Sequence, residues 1–187
     1  YAAANLSHAT LVIIDAQKEY LSGPLALSGM DAAVANIRQL LAAARAAGRP
    51  VVHVRHLGTV GGLFDPQGER GEFIPGLEPQ GDETIIGKLL PSAFHGTELE
   101  KRLQDLGSLD LIVAGFMSHS SVSTTVRAAK NLGFRCTLVE DACATRDLDT
   151  RHGVVPHAEL HRATLAALAD TFGDIMTTDE VVALPGR

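Results

Sequence analysis

Six short apolar runs, separated by amphipathic stretches, set the limits on what this chain can fold into. They fall at residues 10–14, 51–55, 84–86, 109–114, 134–139 and 174–177. Runs this short, rich in Val, Ile, Leu and Thr, read as buried strands. Between the first two lies a helix from Asp31 to about Ala47. Val34, Ile37, Leu40, Leu41 and Ala44 share one face, Asp31 is the expected cap and Gly48 the stop. Thr97 opens the next helix, and Glu100 three residues on completes a capping box. Residues 122–132 form a third helix ending at Gly133. Residues 157–172 form a last long one, with Leu160, Thr164, Leu165 and Leu168 as its inner stripe. Strands alternating with helices imply a parallel sheet covered on both faces, joined by right-handed crossovers, and 187 residues make this one domain.

In such a sheet the ligand lies beyond the carboxyl ends of the strands. Three chemistry-bearing features stand at those ends: Asp15 after the first run, Lys88 after the third, and the turn Gly115-Phe-Met-Ser-His-Ser-Ser121 after the fourth. A sharp strand-to-helix turn can present a nucleophile, with backbone N–H groups aimed at developing negative charge. Asp15 is either a turn cap or a general base, and Lys88 either a solvated charge or the cation beside that base. Tyr20 and Phe94 are core or interface aromatics, or they line a pocket. Asp141 reads as a turn or cap residue.

Other chemistries fit less well. The first strand is followed by Asp15-Ala-Gln-Lys-Glu-Tyr20, with no Gly-x-Gly-x-x-Gly, and no phosphate-binding Gly-rich Lys loop occurs elsewhere. No cofactor is expected. His53 and His56 are three apart along a strand and should face opposite ways. His157 and His161, four apart on a helix, can share a face, yet no carboxylate stands at zinc-site spacing, so no metal is expected. A net charge of −6 argues against nucleic acid or an anionic membrane as partner. Cys136 and Cys143 are too few for a disulfide framework, there is no membrane-length apolar run, and no signal-peptide pattern opens the chain. The cytoplasm is therefore the expected compartment. Tyr1 stands where an initiator Met would, as expected of a trimmed chain. Residues 57–82 are rich in Gly and Pro without periodicity, the composition of a lid or an interface arm.

Taken together, Val12-Ile-Ile-Asp15-Ala-Gln17, Gly87-Lys88-Leu-Leu-Pro-Ser-Ala-Phe94-His-Gly-Thr97, Ala114-Gly-Phe-Met-Ser-His-Ser-Ser121-Val122 and Glu140-Asp-Ala-Cys-Ala144 resemble the isochorismatase-like hydrolase superfamily. This group of cysteine hydrolases includes nicotinamidases and N-carbamoylsarcosine amidohydrolases, and the resemblance runs from about residue 10 to 182. It implies a three-layer α/β/α fold on a six-stranded parallel sheet with the Rossmann-like order 3-2-1-4-5-6. It also implies an Asp-Lys-Cys triad, of which Asp15 and Lys88 supply the first two members. The oxyanion hole would be the backbone N–H groups of Met117 and Ser121, with a non-proline cis peptide between Phe116 and Met117. Gln17, Phe94, Phe116 and His119 lie in these motifs and Tyr20 just beyond the first, and these five are the expected substrate-binding residues. The substrate would be a small amide, imide or ureido compound, and a homo-oligomer, dimer or tetramer, is expected.

The sequence departs from this pattern at one point: Ser121 holds the position of the nucleophilic cysteine. A serine hydroxyl is much harder to ionise than a thiol, and an Asp–Lys pair activates it poorly. Low activity is expected, and a Cys→Ser replacement in an otherwise working cysteine hydrolase is the favoured explanation, ahead of a natural serine-bearing member. Two alternatives stand beside it. One is an isochorismatase-type vinyl ether hydrolase needing no thiol, with which His119 is compatible; the other is a catalytically silent binding member. The nicotinamidase-type Asp-x-His signature is absent after the second strand, where His53-Val-Arg-His56 stands.

Overall fold

The structure, a computed structural model, describes residues 4–183; Tyr1 lies outside the described residues. Its centre is a parallel sheet of β1 (Thr10–Ile14), β2 (Val51–His56), β3 (Thr84–Lys88), β4 (Asp110–Phe116) and β5 (Arg135–Ala144). After β5 comes a small antiparallel hairpin of β6 (Leu148–Thr150) and β7 (Gly153–Val155), and then β8 (Gly173–Met176). The sheet order is β3-β2-β1-β4-β5-β8. The spatial arrangement is the expected one, and its sixth strand is the eighth along the chain because the hairpin intervenes.

The helices are α1 (Met30–Ala46), α2 (Leu99–Asp105), α3 (Ser123–Asn131), α4 (His157–Thr171) and α5 (Thr178–Ala183). Alternation along β1 divides the core in two. Leu11 and Ile13 pack with Ile37, Leu40 and Leu41 of α1 and Val181 of α5. Val12 and Ile14 pack with Leu99 and Leu103 of α2, Val126 of α3 and Leu165 and Leu168 of α4. This is why the central strands are apolar throughout: both faces of β1 and β4 are covered, and every residue of both strands is buried. No helix among the described residues is long and apolar enough to cross a membrane.

Local details differ from the sequence reading. The cap of α1 is Gly29, at φ 72°, and Asp31 lies in the first turn, where its charge faces the positive end of the helix. The Thr97–Glu100 capping box does not form. Thr97 Oγ1 instead donates to the Ala93 carbonyl (2.5 Å) and accepts from the Leu99 N–H (3.2 Å), so the helix starts two residues later. On α4 only Leu165 and Leu168 of the expected stripe are buried, with Leu160 and Thr164 half-buried. Strand β5 runs five residues past its expected end at Val139, because the small residues Ala142, Cys143 and Ala144 pack inside. Asp141 does serve as a cap, its Oδ1 accepting from both Thr178 N–H (2.8 Å) and Thr178 Oγ1–H (2.7 Å) at the first residue of α5.

Gly115 governs how β4 ends. It pairs with Ile14 of β1, has φ 123°, and a Cβ built there would lie 2.0 Å from the Ile14 carbonyl oxygen. No side chain fits that space, and L-residues avoid that conformation. Gly115→Ala should therefore destabilise the protein by at least about 3 kcal/mol or prevent folding, whereas Gly133→Ala, at φ 89° but in open space after α3, meets only the backbone strain and should cost less. Urea denaturation of the two variants checks this ordering.

Candidate active site

Each strand end contributes one group. Asp15 follows β1 with φ 50°, a region a non-glycine residue rarely occupies. Hydrogen bonds hold it there: its N–H donates to the Val54 carbonyl and its own carbonyl accepts from Gln17 N–H, both at 2.8 Å. Lys88 is the last residue of β3, its side chain wholly buried. Ser121 lies in a single turn of π-helix, Ser118–Val122, that follows β4. Such turns recur at functional sites because the extra residue redirects a side chain. The Phe116–Met117 peptide bond is cis, at the position the resemblance implied.

The three side chains meet. Lys88 Nζ is 2.9 Å from Asp15 Oδ2 and 3.2 Å from Ser121 Oγ. Asp15 is 1% exposed and Ser121 6%. Burial pushes the Asp15 carboxyl up to about 6, against the opposing pull of Lys88's charge and hydrogen bond and of the Ser121 hydroxyl. Asp15 Oδ1 is sealed from solvent and has no hydrogen-bond partner among the described residues. A carboxylate oxygen with unused lone pairs thus stands in the same small space as a hydroxyl. That arrangement can move a proton.

His56 and Phe64 complete the surroundings, and the sequence reading gave neither a place in the site. His56 Nδ1 is 3.2 Å from Lys88 Nζ. The Phe64 ring packs edge-to-face on both His56 and Tyr20, each with centroids 5.2 Å apart. A signal for His56 was available, since it ends its strand just as Lys88 ends the neighbouring one, and the two are register partners. Phe64 carried no such signal: it sits in the long aperiodic loop, at φ 51°.

The expected substrate-binding residues divide. Tyr20 is at the site, close enough to Asp15 that burial and that charge together hold its phenol well above the usual range. His119 stands half-buried at the rim, its Nδ1 against Thr145 Oγ1, and burial lowers its pKa. Gln17 is not available to a substrate. Its amide donates to the carbonyls of His56 (2.9 Å) and Gly71 (3.0 Å) and accepts from His56 N–H (2.9 Å), because the 57–82 loop passes alongside the chain just beyond β1 at this point. Phe94 points elsewhere, stacking on Phe134 (5.7 Å) at the amino end of β5, opposite the site. Phe116 is fully buried beneath Tyr20 and belongs to the core.

The turn itself is pinned from outside. His161 of α4 places Nδ1 2.9 Å from Ser118 Oγ and Nε2 3.1 Å from the Glu140 carbonyl. The Met117 carbonyl accepts from Ser120 N–H (3.1 Å) and Val122 N–H (3.2 Å). Cys136 and Cys143 are buried and unpaired, and burial pushes both thiols up to about 12. Two further histidines have carboxylate partners: His53 meets Glu83, which Arg45 also holds, and His157 meets Asp147. Among the described residues no three His, Cys, Asp or Glu side chains are grouped as a metal would require.

The chain as a whole is similar to known proteins. The isochorismatase domain matches residues 9–180. A crystal structure of an isochorismatase from Pseudomonas putida KT2440 is 65% identical, superimposes with a TM-score of 0.95, and covers 97% of this chain and 93% of its own. The isochorismatase family protein YddQ of Bacillus subtilis is 38% identical over 90% of this chain and 96% of its own length. A streptothricin hydrolase of Streptomyces noursei is 35% identical over 86% of this chain and 65% of its own length.

The charge balance at Asp15 is open to test. Lys88→Met removes the strongest of the groups that hold the carboxyl down and leaves only the Ser121 hydroxyl to oppose burial. Asp15 should then titrate above its present value of about 6. Carboxyl ¹³C NMR of the two chains reads the shift directly, and an unchanged or lower value would contradict the ion-pair account.

Proposed function

The chain belongs to the isochorismatase family of hydrolases, and from that premise we propose that it cleaves a C–N bond in a small amide, imide or ureido compound at the Asp15–Lys88–Ser121 centre. The observation that carries the reading is the convergence of a buried carboxylate, a buried ammonium and a hydroxyl within 2.9 and 3.2 Å of the ammonium. It counts against a silent binding member, which would have no reason to bury this pair beside a nucleophile's position.

In this reading the group at position 121 gives its proton to Asp15 as it attacks the carbonyl carbon. The resulting oxyanion is taken by the N–H groups of Met117 and Ser121. Asp15 then returns the proton to the leaving nitrogen, the C–N bond breaks, and the acyl group stays on residue 121. Water attacks the acyl carbon, gives its proton to Asp15, and the acid departs as residue 121 recovers its own. Lys88 supplies the positive charge that keeps a buried carboxylate ionised and favours an anionic nucleophile. A thiol suits this machinery and a hydroxyl does not, since an Asp–Lys pair is a weak base for so poor an acid. Low activity with Ser121 follows.

Two further readings go with it. Both thiols are buried and unpaired, so nothing here calls for an oxidising compartment, and the cytoplasm is the proposed location. Val60, Leu63, Leu89 and Leu90 are large apolar residues left exposed in the loops around the site, Leu89 at 72%. A second copy covering them would give the proposed homo-oligomer, and sedimentation equilibrium, expected to return a multiple of 19.7 kDa, checks it.

Ser121→Cys should raise hydrolysis of at least one member of a small amide, imide and ureido panel by orders of magnitude. Asp15→Asn in that background should abolish the gain. The base must be ionised, so the rate should rise with pH through about 6 and fall away below it. A correctly folded Ser121→Cys protein with no gain across the panel would overturn the reading, and hydrolysis indifferent to the substitution would point to ether chemistry that needs no thiol.

A further inference from the structure

An ammonium has three protons and no acceptor. In this centre Lys88 has three acceptors within reach: Asp15 Oδ2 at 2.9 Å, Ser121 Oγ at 3.2 Å and His56 Nδ1 at 3.2 Å. The first two belong to the reaction already described. The third has no part in it, yet it is built with equal care. We infer that His56 is a positioning residue for this centre: its Nδ1 takes the third proton of Lys88 and so holds the ammonium between Asp15 and position 121. The inference rests on the reading of position 121 as the nucleophile's.

His56 is fixed from every side. It is the register partner of Lys88 across β2 and β3. Gln17 clamps both of its backbone groups, accepting from the N–H and donating to the carbonyl. Phe64 packs edge-to-face on its ring. With the backbone and ring plane set, Nδ1 stays on Lys88. A buried donor left without an acceptor is costly, so without His56 the ammonium would turn to recover a third partner and leave its place between the other two.

The contact has a chemical consequence. Nδ1 accepts only while it carries no proton, so the working ring is neutral with its hydrogen on Nε2. Nε2 has no hydrogen-bond partner among the described residues and is not sealed from solvent. Burial and the Lys88 charge both hold the His56 pKa below its ordinary value, which keeps the ring in that form. The other charged and titratable groups nearby are Asp15, on the same ammonium, and Tyr20 and Glu19 behind Phe64. Glu19 accepts the Phe64 N–H and faces Arg70 at 3.4 Å.

The test reads the nucleophile without asking for turnover. In the Ser121→Cys chain, the pH dependence of alkylation by iodoacetamide gives the thiol pKa. Adding His56→Leu should raise that pKa and slow alkylation near pH 6 by about tenfold, one pKa unit's worth of thiolate. Adding His56→Asn instead, which returns an acceptor oxygen close to the place of Nδ1, should restore most of the rate. A thiol pKa unmoved by His56→Leu, or His56→Asn no better than His56→Leu, would overturn the inference. Should His56→Leu not fold, ¹⁵N NMR of the imidazoles in the unsubstituted chain decides. A neutral His56 protonated on Nε2 supports the inference, and a ring protonated on Nδ1 at neutral pH sinks it. A thiol that answers to His56 in a protein hydrolysing no amide would leave this inference standing and remove the reaction; amide hydrolysis with a thiol indifferent to His56 would do the reverse.

Discussion

The rest of the site depends on one buried ion pair. Lys88 and Asp15 are each about 1% exposed, and their charged atoms lie 2.9 Å apart. Taking two charges out of water costs several kcal/mol per ion, which the pair's attraction offsets only with good geometry and further hydrogen bonds. The balance here is incomplete. Even beside a lysine, Asp15 sits at about 6 because burial outweighs the cation. A pair arranged only for stability would not leave one carboxylate oxygen sealed and unpartnered. A base that must accept a proton and give it back needs both the raised pKa and the spare oxygen.

The pair can exist because three strands end at one level. β1, β3 and β4 are parallel members of one sheet, so their carboxyl ends share a rim. The close approach of Gly115 to Ile14 brings the end of β4 against the end of β1, next to Asp15. The π-turn then aims Ser121 back toward the ammonium, and His161 fastens that turn to α4 and β5. Backbone constraints thus come first and the side-chain chemistry is laid on them.

The long loop after β2 belongs to the same construction. Gln17 N–H and C=O lie where the chain leaves β1, and the residue bridges to Phe73. Ile74 N–H donates to the Ala16 carbonyl and Lys18 N–H to the Glu72 carbonyl, both at 2.9 Å. These contacts carry Phe64 over the site, where it packs on His56 and Tyr20. A loop whose described residues hold only a short 3₁₀ turn, Glu69–Gly71, is therefore held at a few points by the residues that follow β1.

From sequence alone, the six strands of the main sheet and the four longer helices between them were legible, while the β6–β7 hairpin and α5 were not. Apolar runs alternating with amphipathic helices specify parallel strands buried on both faces, and strand ends in such sheets are where chemistry collects. Asp15, Lys88 and the 115–121 turn could be named on that basis, and the serine at position 121, where the resemblance implies a cysteine, could be read directly. Periodicity is a local property, so it also misjudged what local pattern does not control: the cap of α1, the start of α2 and the length of β5. Only the tertiary structure decided which side chains converge. It brought in His56 through the β2–β3 register and Phe64 through the path of a loop with no period. It took Gln17 for the backbone, Phe94 for the opposite end of the sheet and Phe116 for the core. Those assignments depend on contacts between residues tens of positions apart, and the direction and depth of a side chain follow from such contacts rather than from its neighbours in sequence.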